Sequence, residues 1–295
     1  MNRSKTKRVK YSRIIAGTMT WGAWGKKLST ATMADLMQFC VAQGVTTFDH
    51  ADIYGGYTTE AEFGTAFAQS GLNREAVQLI SKCGIQHLSG GRNNKIGHYS
   101  YDKDYIICSV ETSLKNLQTE YLDLLLLHRP SPLMHPEEIS EAIQTLKQQG
   151  KIKNFGVSNF TPSQVALISK NVPIEVNQIE FSLTEYSAMF DGRLDHLLLK
   201  EINPMAWSPL GNVFKEDTEQ TRRIKKLLGE LSNKYNATAD ALLLAWILKH
   251  PSKIHPVVGT TTKDRLVRAV EATAIDLEVE DWFLMLVASQ GRPMP

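Results

Sequence analysis

The chain has 295 residues, 42% hydrophobic and 22% charged, and 33 basic side chains nearly balance 31 acidic ones for a formal net charge of +2. That length buries a sizeable core in one large α/β barrel or in two ordinary domains. The charge balance argues against nucleic acid as a partner, because duplex binders carry a strong basic excess. No apolar run is long enough to cross a bilayer and no signal-peptide core opens the sequence, so a cytoplasmic protein without membrane association is expected.

Arg3, Lys5, Lys7, Arg8 and Lys10 mark residues 1–11 as a basic, flexible tail. A first strand is expected at 13–17, followed by a loop carrying Trp21 and Trp24. Met33, Leu36, Met37, Cys40 and Val41 then recur at helical spacing, and strands are expected at 45–49 and 77–82. The longest connection, 84–102, contains Gly90, Gly91, His98, Tyr99 and Tyr101 and reads as a lid or substrate wall. Ile106, Val110, Leu114 and Leu117 form an apolar helical stripe. The strand at 121–127 has leucine on consecutive positions, as a strand covered on both faces requires.

Ile139, Ala142, Ile143 and Leu146 give another helix before a strand at 153–157. Thr161, Pro162 and Gln164 supply an N-cap, a first-turn proline and a capping-box glutamine. Strands at 174–179 and 205–208 precede a doubled helical pattern, about 221–235 and 237–250, whose second half is apolar nearly all round. A strand at 254–258 and a helix near 279–288 close the pattern.

Strands alternating with helices in this way predict an α/β protein, a (β/α)8 TIM barrel with additional helices between strand 7 and strand 8 and at the C-terminus. No composition break divides residues 1–295, so a single barrel domain is expected. Cys40, Cys83 and Cys108 have neither metal-ligand spacing nor a disulfide framework, and read as reduced core or near-core thiols in a protein without a metal site. Cys83 follows Lys82 on a strand and is expected to face the covering helices.

In a parallel barrel the C-terminal strand ends share one rim, where chemistry is done. Asp49, Lys82 and His128 end three of the expected strands, and Tyr54 lies just past the first of these. A phenol has an ordinary pKa of about 10. An ammonium at Lys82 is expected to lower it, and Asp49 to keep that amine charged. With His128 adding a hydrogen bond to the reacting oxygen, the group suits protonation of a carbonyl oxygen as hydride reaches its carbon. Each residue alone has a structural alternative: an ion pair for Asp49 or Lys82, a turn aromatic for Tyr54, a strand cap for His128.

The sequence also carries a resemblance. Phe-Asp-His-Ala-Asp-Ile-Tyr-Gly at 48–55, Ser-Lys-Cys-Gly at 81–84, Leu-Leu-His-Arg-Pro at 126–130 and Gly-Val-Ser-Asn-Phe at 156–160 resemble the ordered blocks of the aldo-keto reductases. Val-Asn-Gln-Ile-Glu at 176–180, Ala-Trp-Ser-Pro-Leu-Gly at 206–211 and Val-Val-Gly-Thr-Thr-Thr-Lys-Asp-Arg-Leu at 257–266 continue it, in the right order over residues 14–272. The resemblance implies NADPH/NADP+-dependent interconversion of carbonyls and alcohols, with a small-molecule carbonyl as substrate. Tyr54 is then the proton donor, tuned by Lys82 and Asp49, with His128 orienting the carbonyl.

By the same resemblance Ser158, Asn159 and Gln178 hold the nicotinamide carboxamide and Trp207 stacks on its ring. Gly17, Thr18, Ser208, Leu210, Gly211, Gly259 and Thr261 belong to the cofactor-binding segments, Gly259 standing where some relatives have a lysine, and Thr260 and Arg265 lie at the adenosine 2′-phosphate. Lys263 adds positive charge. Arg268-Ala269 stands where relatives often have Glu-Asn, and stacking of Arg268 near the adenine is the expected compensation. Trp21, Trp24 and Tyr57 are expected to wall the substrate pocket; Arg129 could meet an anionic substrate or pair with a neighbouring acid, and the pair is the expectation. The residues do not fix an oligomeric state, a monomer being favoured. Two other readings use the same residues: an NADP(H)-binding regulatory or scaffold subunit with little turnover, and a lyase or isomerase forming a Schiff base on Lys82, which needs that amine neutral.

Overall fold

The computed structural model describes residues 11–89 and 94–294. The basic tail therefore lies outside the described residues except for Tyr11. That residue is buried inside the barrel rather than in a tail. In chain order the first elements are β1 (Ile15–Gly17), α1 (Thr30–Ala42), β2 (Thr47–Asp49), α2 (Thr59–Ser70), β3 (Gln78–Cys83), β4 (Ile85–Gln86) and β5 (His98–Tyr99). Next come α3 (Lys103–Leu117), β6 (Leu122–Leu127), α4 (Pro136–Gln148), β7 (Ile152–Ser158), α5 (Pro162–Ser169), β8 (Val176–Glu180) and α6 (Arg193–Leu199). β9 (Asn203–Trp207), α7 (Glu219–Tyr235), α8 (Ala239–Leu248), β10 (His255–Val258), α9 (Lys263–Glu271) and α10 (Val279–Gln290) complete the chain.

β1, β2, β3 and β6 to β10 close into a barrel of parallel strands in the order β1-β10-β9-β8-β7-β6-β3-β2. The seam pairs Ile15 with Val257 and Ala16 with Val258. This is the (β/α)8 architecture, and α7 with α8 supplies the doubled helix before the last barrel strand. α10 is the additional C-terminal helix.

Strand alternation sorts the side chains into two cores. Ile15, Ile80, Leu124, Leu126, Val176, Met205 and Val257 fill the barrel interior with Tyr11. Leu79, Cys83, Leu125, Leu127, Val157 and Ile179 face the helices. Cys83 thus points outward as expected and Cys40 is buried, whereas Cys108 is an exposed residue of α3 and no core thiol. Gly156 is required where β7 meets its neighbours, because an added Cβ would lie 2.5 Å from the Val176 carbonyl and 2.7 Å from Leu126.

Several boundaries move. Val45 donates its N–H back to the Cys40 carbonyl and closes α1 rather than opening β2. The strand expected at 205–208 starts two residues earlier and ends one residue earlier, and Ser208 has a left-handed φ of 53°. The 84–102 connection is not structureless: β4 and β5 form an antiparallel pair within it, though residues 90–93 lie outside the described residues.

Candidate active site

Asp49 and Lys82 are the last inward positions of β2 and β3, and His128 immediately follows β6. Tyr54 reaches them from the turn after β2, where Gly55 and Gly56 both have positive φ and bring the chain into α2. The Lys82 ammonium donates to Asp49 Oδ2 at 2.7 Å, to the His50 carbonyl at 2.8 Å and to the Tyr54 hydroxyl at 3.1 Å. Gln178 Nε2 donates to the other Asp49 oxygen at 2.9 Å. Both members of the ion pair are almost wholly buried.

Burial works against a charged Lys82, but Asp49 and then Tyr54 outweigh it and hold the amine above the ordinary lysine value. A Schiff-base role is disfavoured by that charge. The sequence expectation for Tyr54 needs correction in direction. Burial raises the phenol above its ordinary value, Lys82 offsets part of this, and Asp49 pushes the same way as burial, so the hydroxyl keeps its proton. Burial, Lys82 and Arg129 together hold His128 well below the ordinary imidazole value, which makes it neutral. Its Nδ1 is buried without a hydrogen-bond partner, and its ring meets that of Tyr54 edge-on with centroids 6.1 Å apart.

On the other half of the rim, Ser158 is paired in register with Gln178, and Glu180 with Trp207. Asn159 has a φ of 64°, which aims its amide across the strand ends: Oδ1 accepts from the Trp207 indole at 2.9 Å and Nδ2 donates to Ser158 at 2.9 Å. Gly211, at φ 53°, lies so close to Thr184 and Ser182 that a side chain there would clash. Its N–H donates to the Ser208 carbonyl at 2.8 Å, which folds 208–211 into a tight turn, with Leu210 against the core. β10 is the neighbour of β9, so Gly259, Thr260 and Thr261 follow beside that turn and lead into α9. Thr20 donates to the Gly259 carbonyl at 2.9 Å. Arg265 is exposed and has no hydrogen bond or ion pair among the described residues. Gly17 ends β1, close enough to Val257 that a Cβ would lie 3.1 Å from its Cγ1.

Other expected site residues sit elsewhere. Trp21 does not wall a pocket: it is fully buried, with its ring 6.1 Å from those of Phe48 and Phe63, because the loop after β1 folds back over β2 and α2. Thr18 is also fully buried, donating to the Asp49 carbonyl at 3.0 Å with its hydroxyl 2.9 Å from His50 Nδ1. Lys263 is paired with Asp35 at 2.7 Å and Arg268 with Asp240 at 3.0 Å, so the expected adenine stacking by Arg268 gives way to an ion pair. Arg129 forms no ion pair among the described residues; its guanidinium lies over the Trp207 ring, 5.3 Å from the centroid. Trp24 does stand at the mouth, exposed, 6.2 Å from the Tyr54 ring and 5.5 Å from that of His87. Tyr57 accepts from the His87 N–H at 3.0 Å and donates to the Ile85 carbonyl at 3.3 Å, which ties the turn to β4.

One contributor, His50, was not singled out from the sequence, and Gln178 has a second contact that was not expected of it. His50 lends its carbonyl to Lys82, and the Gln178 amide fixes Asp49. His50 stands within the Phe-Asp-His-Ala block, yet a main-chain acceptor leaves no signature in residue type.

Comparison with known proteins bears on the chain as a whole. The model of the Aldo/keto reductase family matches residues 13–285. The uncharacterized oxidoreductase YcsN of Bacillus subtilis is 42% identical over 293 residues, 97% of either chain. A 6-dehydroglucose reductase of Agrobacterium fabrum is 36% identical over 290 residues, 97% of this chain and 96% of that one. Among solved structures, the thermostable aldo-keto reductase Tm1743, in complex with the inhibitor epalrestat, superposes with a TM-score of 0.82 at 26% identity, covering 97% of this chain and 98% of its own. With matches that run nearly end to end and a closed parallel barrel beneath them, the chain belongs to the aldo/keto reductase family of oxidoreductases.

Proposed function

We propose that this protein is an NADPH-dependent reductase of aldehyde or ketone carbonyls, with Tyr54 as proton donor. One observation carries the reading: a buried, charged Lys82 is held by Asp49 and the His50 carbonyl with its remaining donor 3.1 Å from the Tyr54 hydroxyl. When bound, the nicotinamide supplies a hydride to the carbonyl carbon. Tyr54 passes its hydroxyl proton to the carbonyl oxygen, completing the alcohol, and the Lys82 ammonium stabilises the phenolate left behind. Neutral His128 has a single ring N–H to donate, and it directs the carbonyl oxygen toward Tyr54. Burial of Lys82 and Asp49 strengthens the contact between them behind the reacting groups.

The residues present suit the cofactor. Trp207, pinned by Asn159, offers an aromatic face for the nicotinamide, and Ser158, Asn159 and Gln178 retain donor or acceptor capacity for its carboxamide. Gly17, Ser208, Leu210 and Gly211 would border the middle of the cofactor, while the buried Thr18 acts behind them by holding the loop after β1 to Asp49 and His50. Gly259, Thr260, Thr261 and the unpaired Arg265 lie where α9 begins, and a guanidinium is suited to a 2′-phosphate.

The test is NADPH consumption with a panel of aldehydes, ketones and polyhydroxylated aldehydes; the last follow from the name of the Agrobacterium fabrum relative. The Tyr54→Phe variant should bind NADPH nearly as well as the parent, while hydride transfer falls by at least about 100-fold, the lower range for a positioned acid. Substantial turnover by that variant would remove Tyr54 from its role, and tight NADPH binding by the parent without turnover of any carbonyl would favour a cofactor-sensing subunit.

A further inference from the structure

We propose that Arg129 selects substrates that carry an anionic substituent, a carboxylate or a phosphate, a few atoms from the carbonyl. The inference deepens the carbonyl-reductase reading and rests on it. Arg129 follows His128 at the end of β6, and its main chain is fixed on both sides by Tyr101, whose hydroxyl donates to the Arg129 carbonyl and accepts from the Arg129 N–H at 3.1 Å. The side chain crosses from β6 toward β9, where the guanidinium lies 5.3 Å from the centroid of the Trp207 indole. Its charge is felt by His128 on one side and by Glu180, at the end of β8, on the other. The guanidinium therefore spans the mouth beside the reacting groups.

No described residue uses the Arg129 guanidinium donors. Among the described residues no carboxylate lies within ion-pair distance and no acceptor meets the guanidinium nitrogens. Lys82, Lys263, Arg268, Arg193 and Arg74 all have acidic partners. A half-buried guanidinium without an anion sacrifices hydration that a bound anion would restore. The cation–π contact with Trp207 holds the guanidinium over that ring, and its planar fork matches the paired oxygens of a carboxylate or phosphate. Arg265, also without a partner among the described residues, lies at the α9 end, where the 2′-phosphate is proposed to sit, and leaves Arg129 for the substrate.

The experiment uses the full chain and two matched pairs of aldehydes: 4-oxobutanoate against butanal, and glyceraldehyde 3-phosphate against glyceraldehyde. The parent is expected to favour at least one charged member in kcat/KM, and the favoured pair tells carboxylate from phosphate. Arg129→Leu should lower the charged-to-neutral ratio by about 10-fold or more, through KM, as loss of a charged hydrogen bond does, with Arg129→Lys retaining part of it. Indifference of the parent to charge, a ratio unchanged in Arg129→Leu, or an equal loss of NADPH affinity in that variant would each overturn the proposal. Tryptophan-fluorescence titration of the NADP+ complex with 4-oxobutanoate and with butanal reads the same preference without turnover. If no aldehyde is consumed, carbonyl reduction fails, while a charge preference in that titration, lost in Arg129→Leu, still upholds Arg129.

Discussion

The amine of Lys82 has three hydrogens and meets three acceptors: Asp49, the His50 carbonyl and the Tyr54 hydroxyl. That full complement fixes the direction in which the charge acts. Tyr54 gains from it only part of what burial removes, so the hydroxyl remains protonated well past neutrality. His128 is held neutral by the same burial and by two nearby cations. Neither group titrates in the middle of the pH range, and the sign follows: a raised phenol stays loaded as pH rises, and a lowered imidazole stays uncharged as pH falls. kcat/KM for carbonyl reduction should therefore be flat from about pH 6 to about pH 9 when stopped-flow measurements isolate hydride transfer. A break near pH 6.5 would assign His128 a charged form that this geometry opposes. Arg265 makes a separate prediction. Its guanidinium is exposed and unpaired among the described residues, so Arg265→Ala should leave the fold intact and weaken NADPH by roughly 1.5–3 kcal/mol, the range for a charged hydrogen bond. NADH, which lacks the 2′-phosphate, should bind this variant as it binds the parent. Equal weakening of both in fluorescence titrations would move the phosphate away from Arg265.

Strand parity explains how much of the site could be read in advance. Ile15, Ile80, Leu126, Val176, Met205 and Val257 point into the barrel, and two residues further on stand Gly17, Lys82, His128, Gln178, Trp207 and Gly259. An apolar run that ends in a polar residue on the inward phase is visible in sequence, and so were the strands, the capping box of α5 and the doubled helices α7 and α8. Other features depend on contacts distant in sequence. Trp21 lies in a loop, and only the closure of that loop over Phe48 and Phe63 makes it core. The β4–β5 pair needs Tyr57 from another loop, and Gly84, at φ 116°, lets Tyr101 pack where a side chain would stand. The terminal helix was legible, but its fastening was not. Trp246 of α8 and Trp282 of α10 stack at 5.0 Å, and each indole donates to the other residue's carbonyl, at 3.1 and 2.9 Å. Trp282→Ala removes both the stacked ring and one of the donors. It should cost about 3 kcal/mol in urea unfolding, within the range for removing a large aromatic from a packed site. A loss below about 1 kcal/mol would show that α10 is held by Lys234, Glu278 and Asp281 instead.

Across the whole molecule, the barrel interior changes character along its axis. Tyr11 and seven apolar side chains fill the lower part, and above them a lysine and an aspartate are closed off from water. Burial of such a pair costs hydration that its mutual attraction does not fully restore, so the active layer is sustained by the closed barrel around it. Removing one partner and removing both should then differ sharply. Lys82→Met leaves the Asp49 carboxylate with the Gln178 amide at 2.9 Å and no cation, and should cost about 3 kcal/mol, at the lower end for breaking a buried pair. Asp49→Asn combined with Lys82→Met keeps an amide oxygen for Gln178 to donate to and removes both charges. That double variant should return to within about 1 kcal/mol of the parent, or exceed it, while carbonyl reduction is abolished. Urea unfolding of the three proteins, compared at similar m-values, decides the matter. A double variant no more stable than Lys82→Met would mean that the ionic layer helps hold the barrel closed, rather than being carried by it for chemistry.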